Sequence, residues 1–422
     1  MELSENRLQR RLDKLSEFTL PGRPWTRRAF TDLYASARDW LRQEMEAAGL
    51  ETRIDAGGNL IGALAGAEPG LGVLAGGSHI DTVVDGGRYD GILGVVTALE
   101  AVQAIVESGE KPRHTLEVID FLSEEPSDYG VSCIGSRAMS GNLPADLLEY
   151  TNPAGERLGD AIRRAGGTPG KLNGALRGDA ELAGFLELHI EQGRVLESTE
   201  TQIGVVTNIV GIRRYEIVVT GRADHSGTTP MNLRQDALVG ASRIVERVNA
   251  QAKACQSSNK YLVATVGKIS IRPDAANAVP GEARITVEVR SDDQQRLDSF
   301  LKPIIDWAQE TVCQQDQLRI EVHPLSASQP TDCAGPIIDT LADSAAALGL
   351  SSMKMPSGAG HDAAHIARLC PTGMLFVPCL DGRSHCPEED ITMQDAINGA
   401  RVFTRALLSL DCMSPQDAMQ AK

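Results

Sequence analysis

Positive charge is scarce in this 422-residue sequence: 41 lysines and arginines stand against 57 aspartates and glutamates, a formal net charge of −16. A nucleic-acid binder needs a basic face to neutralise phosphates, and a peripheral membrane protein needs a polybasic patch. Neither partner is expected here. An anionic small molecule remains open, because one arginine in a pocket can hold a carboxylate. No apolar run approaches the ~20 residues of a membrane-spanning helix. The charged stretch "MELSENRLQRRLDKLSEF" lacks the apolar segment of a secretory signal and reads as an amphipathic helix. The eight cysteines contain no CxxC pair and no evident framework. They read as reduced thiols, which points to a cytoplasmic location. Aromatic residues make up only 4%, while glycine is plentiful at 41 residues, which suits an α/β protein rich in tight turns. The length exceeds one ordinary core and predicts two or three domains.

The hydrophobic pattern organises the chain. Residues 31–49 read as an amphipathic helix, and "ETRIDAGGNLIGALAG" as a hairpin turning on Gly-Gly. "LGVLAGGSHID" and "HTLEVIDFLSEE" read as buried strands flanking the helix "GILGVVTALEAVQAIVESG". Strand, helix, strand in that order predicts parallel βαβ units. "GFLELHIEQGRVLE" reads as a further strand and turn. Residues 213–328 then read β-α-β-β-α-β, the ferredoxin-like order, with helices over 234–254 and 293–314. After 336 helix and strand alternate again, ending in a helix over 391–410. The fold class expected is therefore an α/β, mixed-sheet catalytic domain (1–212 and 329–422) with an inserted ferredoxin-like α+β domain (213–328). Hinges would fall near 211–213 and 328–332.

Polar residues collect where the larger domain's strands end: His79 and Asp81 in "GSHID", Asp90 in "YDG", Glu124 and Glu125 in "SEEPSD", His189 in "ELHIEQG", and His361 and His385 in "GAGHDAAH" and "GRSHCPEE". Strand ends are where open α/β sheets bind ligands, and imidazole with carboxylate suits divalent Zn, Mn, Co or Ni. Each residue alone has an ordinary reading as a satisfied core or loop residue. Their co-occurrence is what points to a metal site.

The blocks "GSHIDTVVDGGRYDGILGV", "FLSEEPSDYGVSCIGSRAMSG", "ELHIEQGRVLE", "GRADHSGTTPMNLRQDAL", "NAVPGEARITVEVR" and "SGAGHDAAHIA…DGRSHCPEE" together resemble the M20 metallopeptidase clan, in its hydantoinase/carbamoylase branch. The resemblance implies a metal-binding α/β domain interrupted by a dimerisation domain, in a homodimer. It implies two divalent ions per subunit, bridged by Asp90, with His79 and His189 on one ion and Glu125 and His385 on the other. Glu124 is implied as the general base. Asp81, two residues past His79, is read as the carboxylate that orients that imidazole. His225 is implied to reach the partner subunit's active site and stabilise an oxyanion. Asn277, Arg290, Arg214, Gln192 and Gly360 are implied substrate contacts, Arg290 for the carboxylate; for Arg214 a plain strand-edge charge is equally open. His361 sits beside Gly360, Asp85 reads as a turn residue, and Cys386 as a packing residue.

The implied reaction is metal-dependent hydrolysis of a linear amide or ureido bond in a small carboxylate substrate of N-carbamoyl amino acid or allantoate type. N-acyl amino-acid hydrolysis or dipeptidase activity on the same scaffold is the alternative. One departure stands out. The family usually follows the Glu pair with Gly, a small residue, Arg and an aromatic, whereas this chain has Pro126, Ser127, Asp128 and Tyr129, which bears on the identity of the substrate.

Overall fold

Short runs of apolar and small residues make the centre of the larger unit. In the computed structural model, which describes residues 2–178, 181–255 and 260–413, Thr115–Asp120, Val73–Ser78, Leu182–Ile190 and Thr372–Val377 lie side by side in that order, all parallel. They are buried along almost their whole length, as parallel strands covered on both faces must be. The hairpin Glu51–Ile54 and Leu60–Leu64 adds antiparallel to one side, with Leu60 opposite Asp120. Ile203–Ile209 adds antiparallel to the other. Ser352–Ser357, a strand the hydrophobic pattern did not announce, pairs with Ile203–Ile209.

Parallel strands finish at one edge of a sheet. Here Ser78 lies opposite Asp120, and Val377 opposite Ile190. The segments that follow these strands, each carrying predicted site residues, therefore leave from the same edge. Behind them, helix Ile92–Ser108 is buried around most of its circumference. The N-terminal helix Glu5–Glu17 presents Leu8, Leu12 and Leu15, all fully buried, at the spacing of one helical face. Its Arg7 and Arg11 pair with the buried Glu100 at 2.6 and 3.3 Å, which satisfies a carboxylate that would otherwise be costly there.

The chain divides into two units, Met1–Thr207 with Asp332–Lys422, and Asn208–Thr331. The second is a four-stranded antiparallel sheet in the order Arg319–Ser328, Gly211–Thr220, Glu282–Ser291, Leu262–Arg272. Alternate residues of Glu282–Ser291 are buried. Ala283, Ile285, Val287 and Val289 join Ile244 and Val248 of helix Ala237–Cys255 in one core. This is the strand order of the ferredoxin-like arrangement. The single helix expected over 293–314 is instead broken. Gln294–Ser299 ends, Lys302–Trp307 begins, and Ala308–Cys313 widens into a π-turn. Pro303 explains the break, since its ring excludes the carbonyl four residues back, at Ser299.

Candidate metal centre

Four segments leaving the sheet edge bring the predicted ligands together. His79 and Asp81 follow Val73–Ser78, and Asp90 sits just before helix Ile92–Ser108. Glu124 and Glu125 follow Thr115–Asp120, and His189 is the penultimate residue of Leu182–Ile190. His385 lies beyond Thr372–Val377. Gly91, between Asp90 and the helix, has φ +70°, and a Cβ there would lie 2.3 Å from His79 Nε2. Glycine is required both for that turn and for the approach to the imidazole.

Asp90 is the centre of the arrangement. Its Oδ1 lies 3.7 Å from His79 Nε2 and 3.2 Å from His189 Nε2, while its Oδ2 lies 3.1 Å from His385 Nε2. His385 Nε2 is also 3.1 Å from Glu125 Oε1. Two sets of convergent ligand atoms result, His79–Asp90–His189 and Asp90–Glu125–His385, sharing the one carboxylate through its two oxygens. A third grouping, Glu187–His189–His361, is also close. It is not an independent ion position: His189 Nδ1 lies 2.9 Å from the Ile190 carbonyl, so Nε2 is its one available ligand atom, and that faces Asp90.

The imidazoles are oriented from behind. His79 Nδ1 lies 3.0 Å from the Asp81 carbonyl oxygen. With Nδ1–H donated to carbonyls, both rings present Nε2 on the Asp90 side, and in the neutral form that nitrogen carries the lone pair a metal ligand needs. The expected part of Asp81 changes accordingly. The strand ends at Ser78, so strand alternation does not align Asp81 with His79. The main-chain carbonyl is the closer partner; the carboxylate Oδ1 stands at 3.6 Å. That carboxylate instead accepts the N–H groups of Glu124 and Glu125 at 3.3 and 3.2 Å. The Glu pair is not on an extended strand either, because Ser123 turns the chain at φ +54°. The turn sends Glu124 Oε2 to 3.7 Å from His79 Nε2, while Glu125 meets His385.

Electrostatics favour positive charge here. Burial raises the Glu124 carboxyl well above the usual carboxylate range, with Glu125, Asp362 and Asp81 adding to it. Burial also raises Glu125. Asp90 moves the other way: burial would raise it, but His189 and His385 together hold it well below the usual range. Burial lowers His79 to about 4. For His189 burial is outweighed by Asp90, which pushes it up to about 9, and Asp90 with Glu125 pushes His385 up to about 11. Among the described residues, every ion-pair partner of Asp90, Glu124 and Glu125 is an imidazole. Three buried carboxylates without lysine or arginine call for cations, and the donor set of imidazole nitrogen and carboxylate oxygen suits a divalent pair. The residues therefore fit the two ions expected.

Other predicted residues fall as follows. Gln192, at φ +57°, donates from Nε2 to Asp90 Oδ2 at 2.7 Å. Gly360 is exposed beside the buried His361, whose Nε2 is 2.8 Å from Ser357 Oγ. Asp85 is a left-handed turn residue paired with Arg23, and Cys386 belongs to neither ligand set. Asp128 pairs with Arg28, which also donates to the Pro126 carbonyl at 3.3 Å. The negative charge in that departure is thus countered locally.

His225, Asn277, Arg214 and Arg290 belong to the smaller unit. A two-residue ladder sets His225 opposite Ala278, and Ser226 N–H donates to the Asn277 carbonyl at 3.1 Å, so His225 and Asn277 are neighbours. The Gly227 N–H donates to His225 Nδ1 at 3.0 Å, leaving the neutral ring's proton on Nε2. Arg214 and Arg290 both hold Glu288, Arg290 Nε donating to Oε1 at 2.8 Å.

The residue pattern did not reveal Glu187, Ser384 or Glu389. Glu187 accepts from Ser78 Oγ at 2.7 Å and from Ala363 N–H at 3.1 Å. Glu389 accepts from the main-chain N–H groups of Tyr89 and Asp90, and burial pushes it up to about 7. The available signal was faint: an acid inside a buried strand, and the second glutamate of "PEE", four residues past His385.

A mixed sheet carrying a carboxylate-shared pair of metal-ligand groups at its strand ends, with a separate small antiparallel unit, defines a two-domain metallohydrolase. The chain belongs to the M20 peptidase clan and, within it, to the hydantoinase/carbamoylase family; Peptidase family M20/M25/M40 matches residues 75–409. It is 40% identical over 407 residues to an N-carbamoyl-L-amino-acid amidohydrolase of Paenarthrobacter aurescens, covering 96% of this chain and 98% of the relative. It is 36% identical to a ureidoglycolate hydrolase of Arabidopsis thaliana, covering 96% and 86%. A hydantoinase/carbamoylase family amidase from Burkholderia multivorans superposes with a TM-score of 0.90 at 32% identity, covering 98% of this chain and 99% of that one.

Proposed function

We propose that this protein hydrolyses a linear C–N bond, ureido or amide, in a small carboxylate-bearing molecule of N-carbamoyl amino acid or allantoate type. The observation that carries the reading is Asp90 shared between two ligand sets with Glu124 beside them. His79, Asp90 and His189 would hold one divalent ion, and Asp90, Glu125 and His385 the other; zinc, manganese, cobalt and nickel all suit these donors. Bound there, such a pair acidifies a water and polarises the substrate carbonyl.

The chain's own groups do the rest. Glu124 takes the proton of the attacking water and delivers it to the leaving nitrogen. Its Oε1 accepts from Cys133 Sγ at 3.2 Å, which keeps Oε2 directed at the ligands. His225, donating from Nε2, and the Asn277 amide stabilise the developing oxyanion. Arg290, with Arg214, takes the substrate carboxylate. Gln192 and Gly360 line the pocket. The working form is a cytoplasmic homodimer in which His225 serves the partner's site.

A substrate panel tests the reaction. Carbamoyl, formyl, acyl and peptidyl amino acids and allantoate are each assayed with manganese, zinc, cobalt and nickel. Release of ammonia from a ureido compound, with carbon dioxide and the free amine when the substrate is a carbamoyl amino acid, is the expected result. Amine release from acyl or peptidyl substrates alone would assign the site to that chemistry instead. A second experiment tests His225. Inactive His225→Ala and Glu124→Gln proteins, mixed and re-equilibrated, are expected to regain up to one working site per dimer; no recovery would place His225 outside the partner's site.

A further inference from the structure

Glu389 is a buried carboxylate, 1% exposed, with no lysine, arginine or histidine in ion-pair contact among the described residues. Burial on those conditions is costly unless hydrogen bonds repay it. All of its bonds lead to Asp90. Oε1 accepts the N–H groups of Tyr89 at 2.9 Å and of Asp90 itself at 3.0 Å. Oε2 lies 2.8 Å from Ser384 Oγ, and that hydroxyl lies 2.8 Å from Asp90 Oδ2. The loop closes on this carboxylate as tightly as its composition allows: a Cβ on Gly87 would fall 1.9 Å from it.

We propose that Glu389 and Ser384 are positioning residues for the metal centre, holding the Asp90 main chain and aiming its carboxylate, and that residue 87 is glycine to admit Glu389. The inference rests on the function proposed above. Among the described residues Glu389 joins neither ligand set, and its bonds go to the Tyr89 and Asp90 main chain and to Ser384. Its effect runs through geometry. The bridging carboxylate must offer one oxygen to each ion, and a rotation of Asp90 would withdraw one of them. A hydroxyl carries one proton, so Ser384 cannot donate to Asp90 and Glu389 at once. Ser384 therefore couples the placement of the two carboxylates, one proton serving either.

Calorimetric titration of the apoprotein with manganese separates positioning from a plain structural role, with circular dichroism and melting of the same apoproteins as the fold control. Outer partners of metal ligands typically contribute ~10–100-fold in affinity. Glu389→Ala is expected to weaken manganese binding by that order, with the apo fold unchanged. Gly87→Ala, which displaces Glu389 without altering it, is expected to do the same. Ser384→Ala is expected to weaken binding less, because the two N–H bonds remain. Glu389→Gln is expected to bind within about threefold of wild type, since its amide oxygen still accepts both N–H groups.

Wild-type affinity in Glu389→Ala, or in Gly87→Ala and Ser384→Ala should the first not fold, would overturn the proposal. A Gln variant as weak as the Ala variant would overturn it too, by showing that charge rather than placement matters. If the wild-type apoprotein itself takes up no manganese pair, the proposed function fails and this inference with it. Two ions on wild type with undiminished binding in the variants sinks this inference alone.

Discussion

Glu124→Gln is expected to lower kcat by about 10²–10⁴-fold, the range a positioned general base contributes, and to leave ion binding intact. The amide is the same size and still accepts from Cys133 Sγ, which reaches the carboxylate at 3.2 Å. What it loses is the ability to take a proton. Because Glu124 Oε2 stands 3.7 Å from His79 Nε2, in neither ligand set, manganese stoichiometry and affinity should match wild type. KM should change little, so the loss falls on kcat. Glu125→Gln, one residue on, should behave in the opposite way. Its Oε1 is 3.1 Å from His385 Nε2 inside a ligand set, so metal affinity should fall first. The two variants together assign the roles: equal metal loss in both, or full activity in Glu124→Gln, would show that the pair is not divided as argued.

Asp90→Asn is expected to have the largest effect on metal content. One oxygen faces His79 and His189, the other His385. The amide keeps one of these oxygens and replaces the other by an N–H₂ group that cannot coordinate, and it removes the negative charge between the two positions. Affinity at one position at least should fall by more than the ~10–100-fold typical of an outer partner, with activity lost. Metal analysis after gel filtration should find one ion or fewer per chain, against two for wild type. His385→Ala supplies the comparison, because His385 belongs to a single ligand set. It should cost the Glu125-side ion and spare the other. If Asp90→Asn retains both ions, the shared-carboxylate arrangement is wrong.

Much of this architecture could be read from the chain without its structure, because it obeys local rules. The leucines at 8, 12 and 15 repeat at helical spacing and are all buried. Strand, helix, strand order announced the parallel sheet, and parallel strands place their ends at one edge whatever the details of packing. That is why residues as distant as His79 and His385 could be grouped in advance. Rules of periodicity failed where an element stopped. Alternation along a continuing strand would align Asp81 with His79, but the strand ends at Ser78. A single helix over 293–314 would run through Pro303, which does not allow it.

The sequence by itself determined most of the elements, their order and the residue types able to bind cations, since these follow from spacing and side-chain chemistry within a few residues; the strand Ser352–Ser357 and the break at Pro303 were not among them. Only the tertiary structure decided which atom does what. The Asp81 carbonyl rather than its carboxylate is closest to His79, and its carboxylate holds the Glu pair. Glu389 closes on an N–H group 300 residues away. Such pairings depend on where the chain turns and on what burial forces each polar group to find, and no local pattern records either.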